Sequence, residues 1–152
     1  MTLNQGSGAA SLVLEDLNRD GFADLAVALR DQDRVQFYLG DGARNFALGT
    51  SLAAGAAPVG LVAARLNGFG NLSLLVTSAT DSSVTVLEDR GDGQFLPPVR
   101  VEVGSPPRTA LVSNWGGNAL PDLVTLNQDG TVTTLLNADR ADPLLLTESR
   151  AF

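Results

Sequence analysis

The sequence predicts an all-β protein made of three tandem copies of one unit, and three observations carry this prediction. Gly6, Gly55 and Gly104 stand 49 residues apart, and the same interval separates Leu25, Leu74 and Leu123. Each copy divides into short apolar runs bounded by Gly, Asp, Asn or Pro, a pattern typical of strands. No window of 12 or more residues keeps apolar side chains at helical spacing without a breaker.

The elements follow in order along the first copy. Residues 11–15, 24–29 and 34–39 predict three strands, and a fourth strand is expected after Phe46. Asp31-Gln32-Asp33 predicts the turn between the second and third strands. Gly40-Asp41-Gly42 predicts the turn before the fourth, because Gly adopts positive φ and Asp bonds local amides. Four antiparallel strands in about 49 residues form one unit.

Four-stranded units that must stack to cover their faces predict the blades of a β-propeller. The expected boundaries are 6–54, 55–103 and 104–152 in a single array, with residues 1–5 a remnant of a preceding outer strand. Because propellers have about four to eight blades, three blades leave a ring unclosed. We expect closure by homo-oligomerisation, with six blades from a dimer, or by neighbouring blades of a longer propeller.

Composition excludes several classes of function. The net charge is −7, and all ten cations are scattered arginines, so a nucleic-acid partner is not expected. The chain has no Cys and no His, which removes disulfides, zinc–thiolate sites and the commonest general base. Even the longest apolar runs are short, such as Leu144-Leu145-Leu146, so we expect no membrane insertion. The sequence predicts no signal peptide, as in a mature protein.

One segment carries a sharp motif for metal binding. Asp16, Asn18, Asp20 and Asp24 place oxygen side chains at positions 1, 3, 5 and 9 of a loop whose sixth position is Gly21. Hard oxygen donors around a tight turn are what Ca²⁺ requires. An EF-hand is not indicated, since position 12 is Val27 instead of Glu and the flanking segments have strand patterns.

This loop, D-x-[DN]-x-D-G-x-x-D between two strands, resembles that of the FG-GAP/VCBS repeats, which also build the integrin α-subunit propeller. The G-x-x-P segments that begin at Gly55 and Gly104 and the G-D-G-x-F ending at Phe95 add to the resemblance. The resemblance implies a calcium-stabilised propeller. It also implies a ligand set, which maps onto Asp16, Asn18, Asp20, the Phe22 carbonyl and Asp24.

The other two loops depart from this pattern. In the second loop the ligand places hold Arg65, Asn67, Phe69 and Ser73, and in the third they hold Asn114, Gly116, Asn118 and Asp122. An arginine at the first place opposes a cation, and the third loop keeps one carboxylate. We therefore expect one calcium ion per chain; the alternative is that the first loop is only a solvated, Asp-rich turn.

The expected function is that of a non-enzymatic module that binds a protein or glycan ligand at one rim. A purely structural repeat of a larger secreted protein is the alternative, and an enzyme that uses carboxylates such as Asp81, Asp89 or Asp129 on carbohydrate is a third hypothesis. Trp115, the one tryptophan, either packs in the core or a loop or is an exposed ligand contact. A calcium loop favours an extracellular or periplasmic location, where the ion is abundant.

Overall fold

The computed structural model describes residues 8–67, 70–90, 93–118, 120–137 and 146–151. These residues form twelve β-strands: β1 (Ala9–Glu15), β2 (Asp24–Leu29), β3 (Arg34–Gly40), β4 (Phe46–Ala53), β5 (Pro58–Ala64), β6 (Ser73–Ser78), β7 (Ser83–Glu88), β8 (Val99–Glu102), β9 (Pro107–Ser113), β10 (Asp122–Asn127), β11 (Val132–Asn137) and β12 (Leu146–Ala151). Several residues of the sequence predictions fall outside the described residues: the strand at 1–5, Gly6, Phe69, and Gly91 and Asp92 of the G-D-G-x-F segment. None of the helices in the described part is long and apolar enough to span a membrane.

The strands form three four-stranded antiparallel sheets, each a simple meander of consecutive strands. Sheet 1 contains β1–β4, sheet 2 contains β5–β8 and sheet 3 contains β9–β12. The predicted all-β class and its three four-stranded antiparallel sheets are thereby confirmed. The first strands of neighbouring sheets contact one another, β1 with β5 and β5 with β9. The three sheets therefore meet along their first strands.

Backbone hydrogen bonds repeat at the interval seen in the sequence. The amides of Arg30, Ala79 and Gln128 donate to the carbonyls 22 residues before them at 2.7, 2.9 and 2.9 Å, and successive copies of this bond lie 49 residues apart. The start of each first strand also carries an irregularity of register at the same place. The repeat is therefore one of structure as well as of residue type.

Two details differ from the sequence expectation. The turn expected at Asp31–Asp33 is a short 3-10 helix over Arg30–Gln32, which ends at Asp33 in the left-handed region with φ of 53°. The second difference lies in sheet 3, where Leu123 pairs with Leu135, twelve residues on, whereas Leu74 of sheet 2 pairs with Leu87, thirteen residues on. The turn between β10 and β11 is thus one residue shorter than its counterpart.

The core lies in two layers, one on each side of sheet 2. Alternate residues of β6 divide between the layers, because side chains of a strand point to opposite faces in turn. Leu74 packs toward sheet 1 with Ala26 and Phe37, while Leu75 packs toward sheet 3 with Leu123. All six residues of β6 are buried, so sheet 2 is covered on both faces.

Candidate functional site

The Asp-rich motif forms the loop between β1 and β2, at one edge of sheet 1. Two residues of the loop adopt left-handed backbone, Arg19 with φ of 63° and Gly21 with φ of 89°. A side chain is strained at such an angle, so glycine suits the sharper bend at position 21. The loop therefore turns tightly between the predicted ligand positions.

Three of the predicted ligands organise the loop through short-range hydrogen bonds. Asp16 Oδ2 accepts from the Gly21 amide at 3.0 Å, and Asn18 Oδ1 accepts from the Asp20 amide at 3.0 Å. Asp20 accepts twice, from the Phe22 amide at 2.8 Å and from Asn18 Nδ2 at 2.9 Å. The structure thus brings the side chains of Asn18 and Asp20 into direct contact.

The fourth predicted side-chain ligand, Asp24, is fully buried and holds the backbone of the loop. Its Oδ2 accepts from the amides of Leu17 and Asn18 at 3.0 and 3.2 Å, and its Oδ1 accepts from the amide of Gly40 at 2.9 Å. Asp24 therefore ties both ends of the loop to the end of β3. Charge-assisted hydrogen bonds of this kind are stronger than those between neutral groups.

Asp122, the equivalent of Asp24 in sheet 3, makes the same set of bonds. Its Oδ2 accepts from the amides of Trp115 and Gly116 at 2.8 and 2.6 Å, and its Oδ1 accepts from the amide of Asn137 at 2.9 Å. Because the loop before Asp122 lacks most of the predicted ligands, this arrangement does not depend on a calcium motif. It is a structural feature of the repeat, which Asp24 shares.

The carboxylates of the loop do not by themselves make a metal cluster. Among the described residues, no group of three or more carboxylates is placed to hold a metal ion. The donor chemistry of the loop nevertheless fits a hard cation. Asp16 Oδ1 is buried and has no hydrogen-bond partner in the described part of the chain, while the Asn18 amide and the Phe22 carbonyl add neutral oxygens.

The second loop, between β5 and β6, is closed by a cation of the chain itself. Arg65, at the place of Asp16, donates from Nε to the carbonyl of Gly70 at 3.2 Å. Where the first loop uses an anion to hold a glycine amide, the second uses a guanidinium to hold a glycine carbonyl. Arg19 of the first loop also donates a hydrogen bond to Asn71 Oδ1, which links the two loops.

The third loop, between β9 and β10, is closed by neutral amides. Asn114 Oδ1 accepts from the Gly117 amide at 3.2 Å, and Asn118 Nδ2 donates to the Asn137 carbonyl at 2.6 Å. Trp115 lies in this loop with 65% of its surface exposed, so it is not a core residue. This exposure is consistent both with a position packed only within the loop and with the predicted ligand contact, which stays a prediction.

The three loops lie at the same edge of their sheets, because each joins the first strand to the second. We call this edge the loop rim. It exposes Phe22 and Trp115, both aromatic, on the first and third loops. Aromatic side chains offer a large contact area with little entropy loss, so they are frequent in binding surfaces.

An apolar pocket opens beside the first loop, between sheets 1 and 2. It has a volume of about 300 Å³ and lies against Leu17, Phe37, Leu39, Gly93 and Phe95 among others. The rings of Phe37 and Phe95 stack with their centroids 4.6 Å apart, which fixes one wall. This volume is at the lower end of the range for small-molecule sites.

The carboxylates suggested for an enzyme have structural partners. Asp81 Oδ2 pairs with Arg100 at 2.9 Å and also accepts from the Ala56 amide at 3.1 Å. Asp129 accepts from the hydroxyl and the amide of Thr131, and these bonds hold the pKa of Asp129 below its ordinary value. A general acid needs a raised pKa, so this environment disfavours Asp129 in that role. Asp89 is buried and directly follows β7.

Three features of the site are not evident in the sequence. They are the capping bonds of Asp24 and Asp122, the contact of Arg65 with its own loop, and the Arg19–Asn71 link. The matching positions of Asp24 and Asp122, 98 residues apart, were a signal for the first. No sequence signal specifies the direction of an arginine side chain on a surface loop.

The chain is similar to a known repeat family over part of its length and to a solved structure in its fold. Residues 16–76 match the model of the FG-GAP-like repeat, which confirms over that segment the resemblance drawn from the motifs. No curated protein matches the chain significantly. A solved structure, the periplasmic gluconolactonase PpgL of Pseudomonas aeruginosa, is similar in fold, with a TM-score of 0.63 and 18% sequence identity. The similarity covers 97% of this chain but 39% of that one, so the chain spans well under half of that protein.

Proposed function

We propose that this chain, an FG-GAP-like repeat protein over residues 16–76, is a calcium-stabilised propeller module that binds a protein or glycan at its loop rim without catalysing a reaction. The observation that carries the proposal is the loop between β1 and β2. Its first predicted ligand, Asp16, has a buried carboxylate oxygen without a hydrogen-bond partner in the described residues. A buried carboxylate oxygen without a hydrogen-bond partner is costly, and a cation would remove that cost.

Asp16, Asn18, Asp20 and the Phe22 carbonyl are the residues that would hold the ion. Asp24 retains spare acceptor capacity, since its Oδ1 accepts a single described hydrogen bond. Bound calcium would supply a structural link between the two halves of the loop. The residues themselves position the loop backbone, and the Arg19–Asn71 bond connects it to the neighbouring loop.

Thermal unfolding in calcium and in chelator tests this proposal. Saturation at about 100 times the dissociation constant adds about 2.7 kcal/mol, or roughly 5–10 °C for a chain of this size. We expect Asp20→Ala to abolish the calcium increment. Asp41→Ala is the matched control, because Asp41 is also exposed and bonds the amide two residues on, yet lies in the turn before β4. Identical melting of the wild type with calcium and with chelator would contradict the site.

Binding at the loop rim is proposed from the exposed aromatic residues. Trp115 and Phe22 project from loops at the same edge, and Arg19 and Arg65 lie on the loops beside them. Such surfaces suit glycans and protein loops, which use stacking and charged hydrogen bonds. A glycan array and a panel of extracellular proteins, probed with wild type and Trp115→Ala, test this. Binding that Trp115→Ala loses supports the rim, and binding that survives in this variant places the ligand elsewhere.

The absence of catalysis is proposed from the side chains available. With no His, Cys or Lys, carboxylates would have to carry the chemistry, and Asp81 and Asp129 are each held by structural partners. The fold similarity to a gluconolactonase, at 18% identity, is a similarity of architecture. We expect no hydrolysis of gluconolactone above the buffer rate in a pH-stat assay with calcium present. A rate that is lost in a carboxylate variant would refute this part of the proposal.

The proposed location is extracellular or periplasmic. Calcium loops with exposed ligands bind weakly and fill where the ion is abundant. Cell fractionation of the native producer tests this, since recovery of the protein in the cytosol would contradict it.

A further inference from the structure

Each sheet has two faces, and the packing of sheet 2 between its neighbours shows which sheet covers each face. We call the face toward the preceding sheet the leading face and the face toward the following sheet the trailing face. On sheet 2, Leu61, Leu74 and Leu87 belong to the leading face and pack on sheet 1. Leu75 and Val86 belong to its trailing face and pack against sheet 3. A leading face is therefore covered by the trailing face of its neighbour.

The leading face of sheet 1 has the same kind of residues but no sheet against it in the described chain. Leu12 is the equivalent of Leu61, 49 residues earlier, and it is 64% exposed where Leu61 is 8% exposed. Strand register extends this face across the sheet in two rows: Leu12 with Val27 and Gln36, and Leu14 with Leu25 and Tyr38. The exposed part of the face is at β1, where Leu14 is 55% exposed, whereas Gln36 and Tyr38 at the far end of the rows are buried. Exposed leucines grouped on an end sheet are typical of an interface.

The trailing face of sheet 3 is the complementary end. Leu111 is the equivalent of Val62, which packs in the layer between sheets 2 and 3, yet Leu111 is 68% exposed. Register again gives two rows: Leu111 with Val124 and Thr134, and Thr109 with Leu126 and Val132. This face therefore has the character of the trailing face of sheet 2, which is covered.

We propose that the leading face of sheet 1 packs on the trailing face of sheet 3 of a second copy of this chain, so that two copies close a ring of six sheets. The new contact continues the interface already present twice within the chain, since it joins the same two kinds of face. Each copy offers one face of each kind, so a twofold pair uses all four end faces in two identical contacts. The proposal goes beyond the rim function and does not rest on calcium binding.

The apolar character of the two end faces favours a second copy of this chain as the partner. The chain carries a net charge of −7, which would oppose association through charged surfaces. The two rows named on β1–β3 and the two named on β9–β11 contain no charged residue, so these rows bring no like charges together. Arginines lie at the margins of the two faces: Arg34 pairs with Leu29 beside the rows of sheet 1, and Arg150 of β12 pairs with Thr134 of sheet 3. The contact is then driven by burial of apolar surface, as between the sheets of one chain.

The mass in solution, measured by light scattering on the full chain, tests the proposal. We expect twice the chain mass of 15.8 kDa. Leu12→Arg and Leu111→Arg should each give a monomer that remains folded, because both side chains are already exposed within one chain. Leu96→Arg is the matched control, an exposed leucine beside Val86 and Val99 of the middle sheet, and should stay dimeric.

Mixing the two monomeric variants distinguishes this arrangement from a symmetric face-to-face dimer. In an equimolar mixture, the intact Leu12 face of one variant meets the intact Leu111 face of the other. We expect a pair to re-form with weaker affinity than the wild type. A monomeric wild type would overturn the proposal and assign the faces to further sheets of a longer chain. A series of larger species would overturn ring closure in favour of an open head-to-tail array.

Discussion

Asp20 and Asp24 show how two residues of one motif take different roles. Asp20 lies exposed in the loop and bonds its immediate neighbours, whereas Asp24 is fully buried and bonds three amides from two segments. The same three-amide arrangement at Asp122, in a loop that has lost most of the motif, separates the structural role from metal binding.

This difference leads to a prediction for paired variants. Asp24→Ala leaves three amides without their acceptor, so we expect a loss of about 2–4 kcal/mol in unfolding free energy, in chelator as well as in calcium. Asp20→Ala should cost well under 1 kcal/mol in chelator and show its main effect as the lost calcium increment. Urea denaturation of both variants in the two buffers measures these values. An equal cost for the two variants in chelator would contradict the assignment.

The sequence predicted the residues of this site but not the bonds of each oxygen. Positions 16, 18, 20 and 24 follow from the spacing of oxygen side chains around a glycine. The tie between Asp24 and the Gly40 amide depends on the pairing of β2 with β3, which brings together residues 16 positions apart. Burial and hydrogen-bond partners of this kind arise from tertiary structure, which a local motif does not contain.

At the scale of the strand, short apolar runs and the turn residues between them predicted the positions of most strands. The second and third strands agree with the predicted 24–29 and 34–39 to within one residue, because both are rich in residues that fit a pleated sheet. β1 begins at Ala9, two residues before the expected start, since alanine has a weak strand preference and gave no signal. The shorter turn before β11 has no counterpart in the prediction, because the 49-residue spacing of Leu25, Leu74 and Leu123 says nothing about the turn that follows β10.

Leu25 and Leu74 hold the same position in neighbouring sheets and allow a matched test of the layers. Leu74 is fully buried between sheets 1 and 2, whereas Leu25 is half-buried on the leading face of sheet 1. In the monomeric Leu111→Arg background, we expect Leu74→Ala to cost about 2–5 kcal/mol and Leu25→Ala about 1 kcal/mol. Denaturant unfolding measures both values. Equal costs in that background would mean that the leading face of sheet 1 is as buried as the leading face of sheet 2.

For the whole molecule, the repeat gives three similar sheets while the loops between their first and second strands diverge. One loop is held by carboxylates suited to calcium, one by the guanidinium of Arg65, and one by asparagine amides. The fold is thus common to the three units, and the proposed metal site belongs to one of them.

Calcium titration by isothermal calorimetry on the full chain tests the central claim most directly. We predict a stoichiometry of one ion per chain. Loss of this binding in Asp20→Ala, with binding retained in Asp41→Ala, would place the ion in the loop between β1 and β2. A titration without binding heat at millimolar calcium, or a stoichiometry of three ions per chain, would contradict the account.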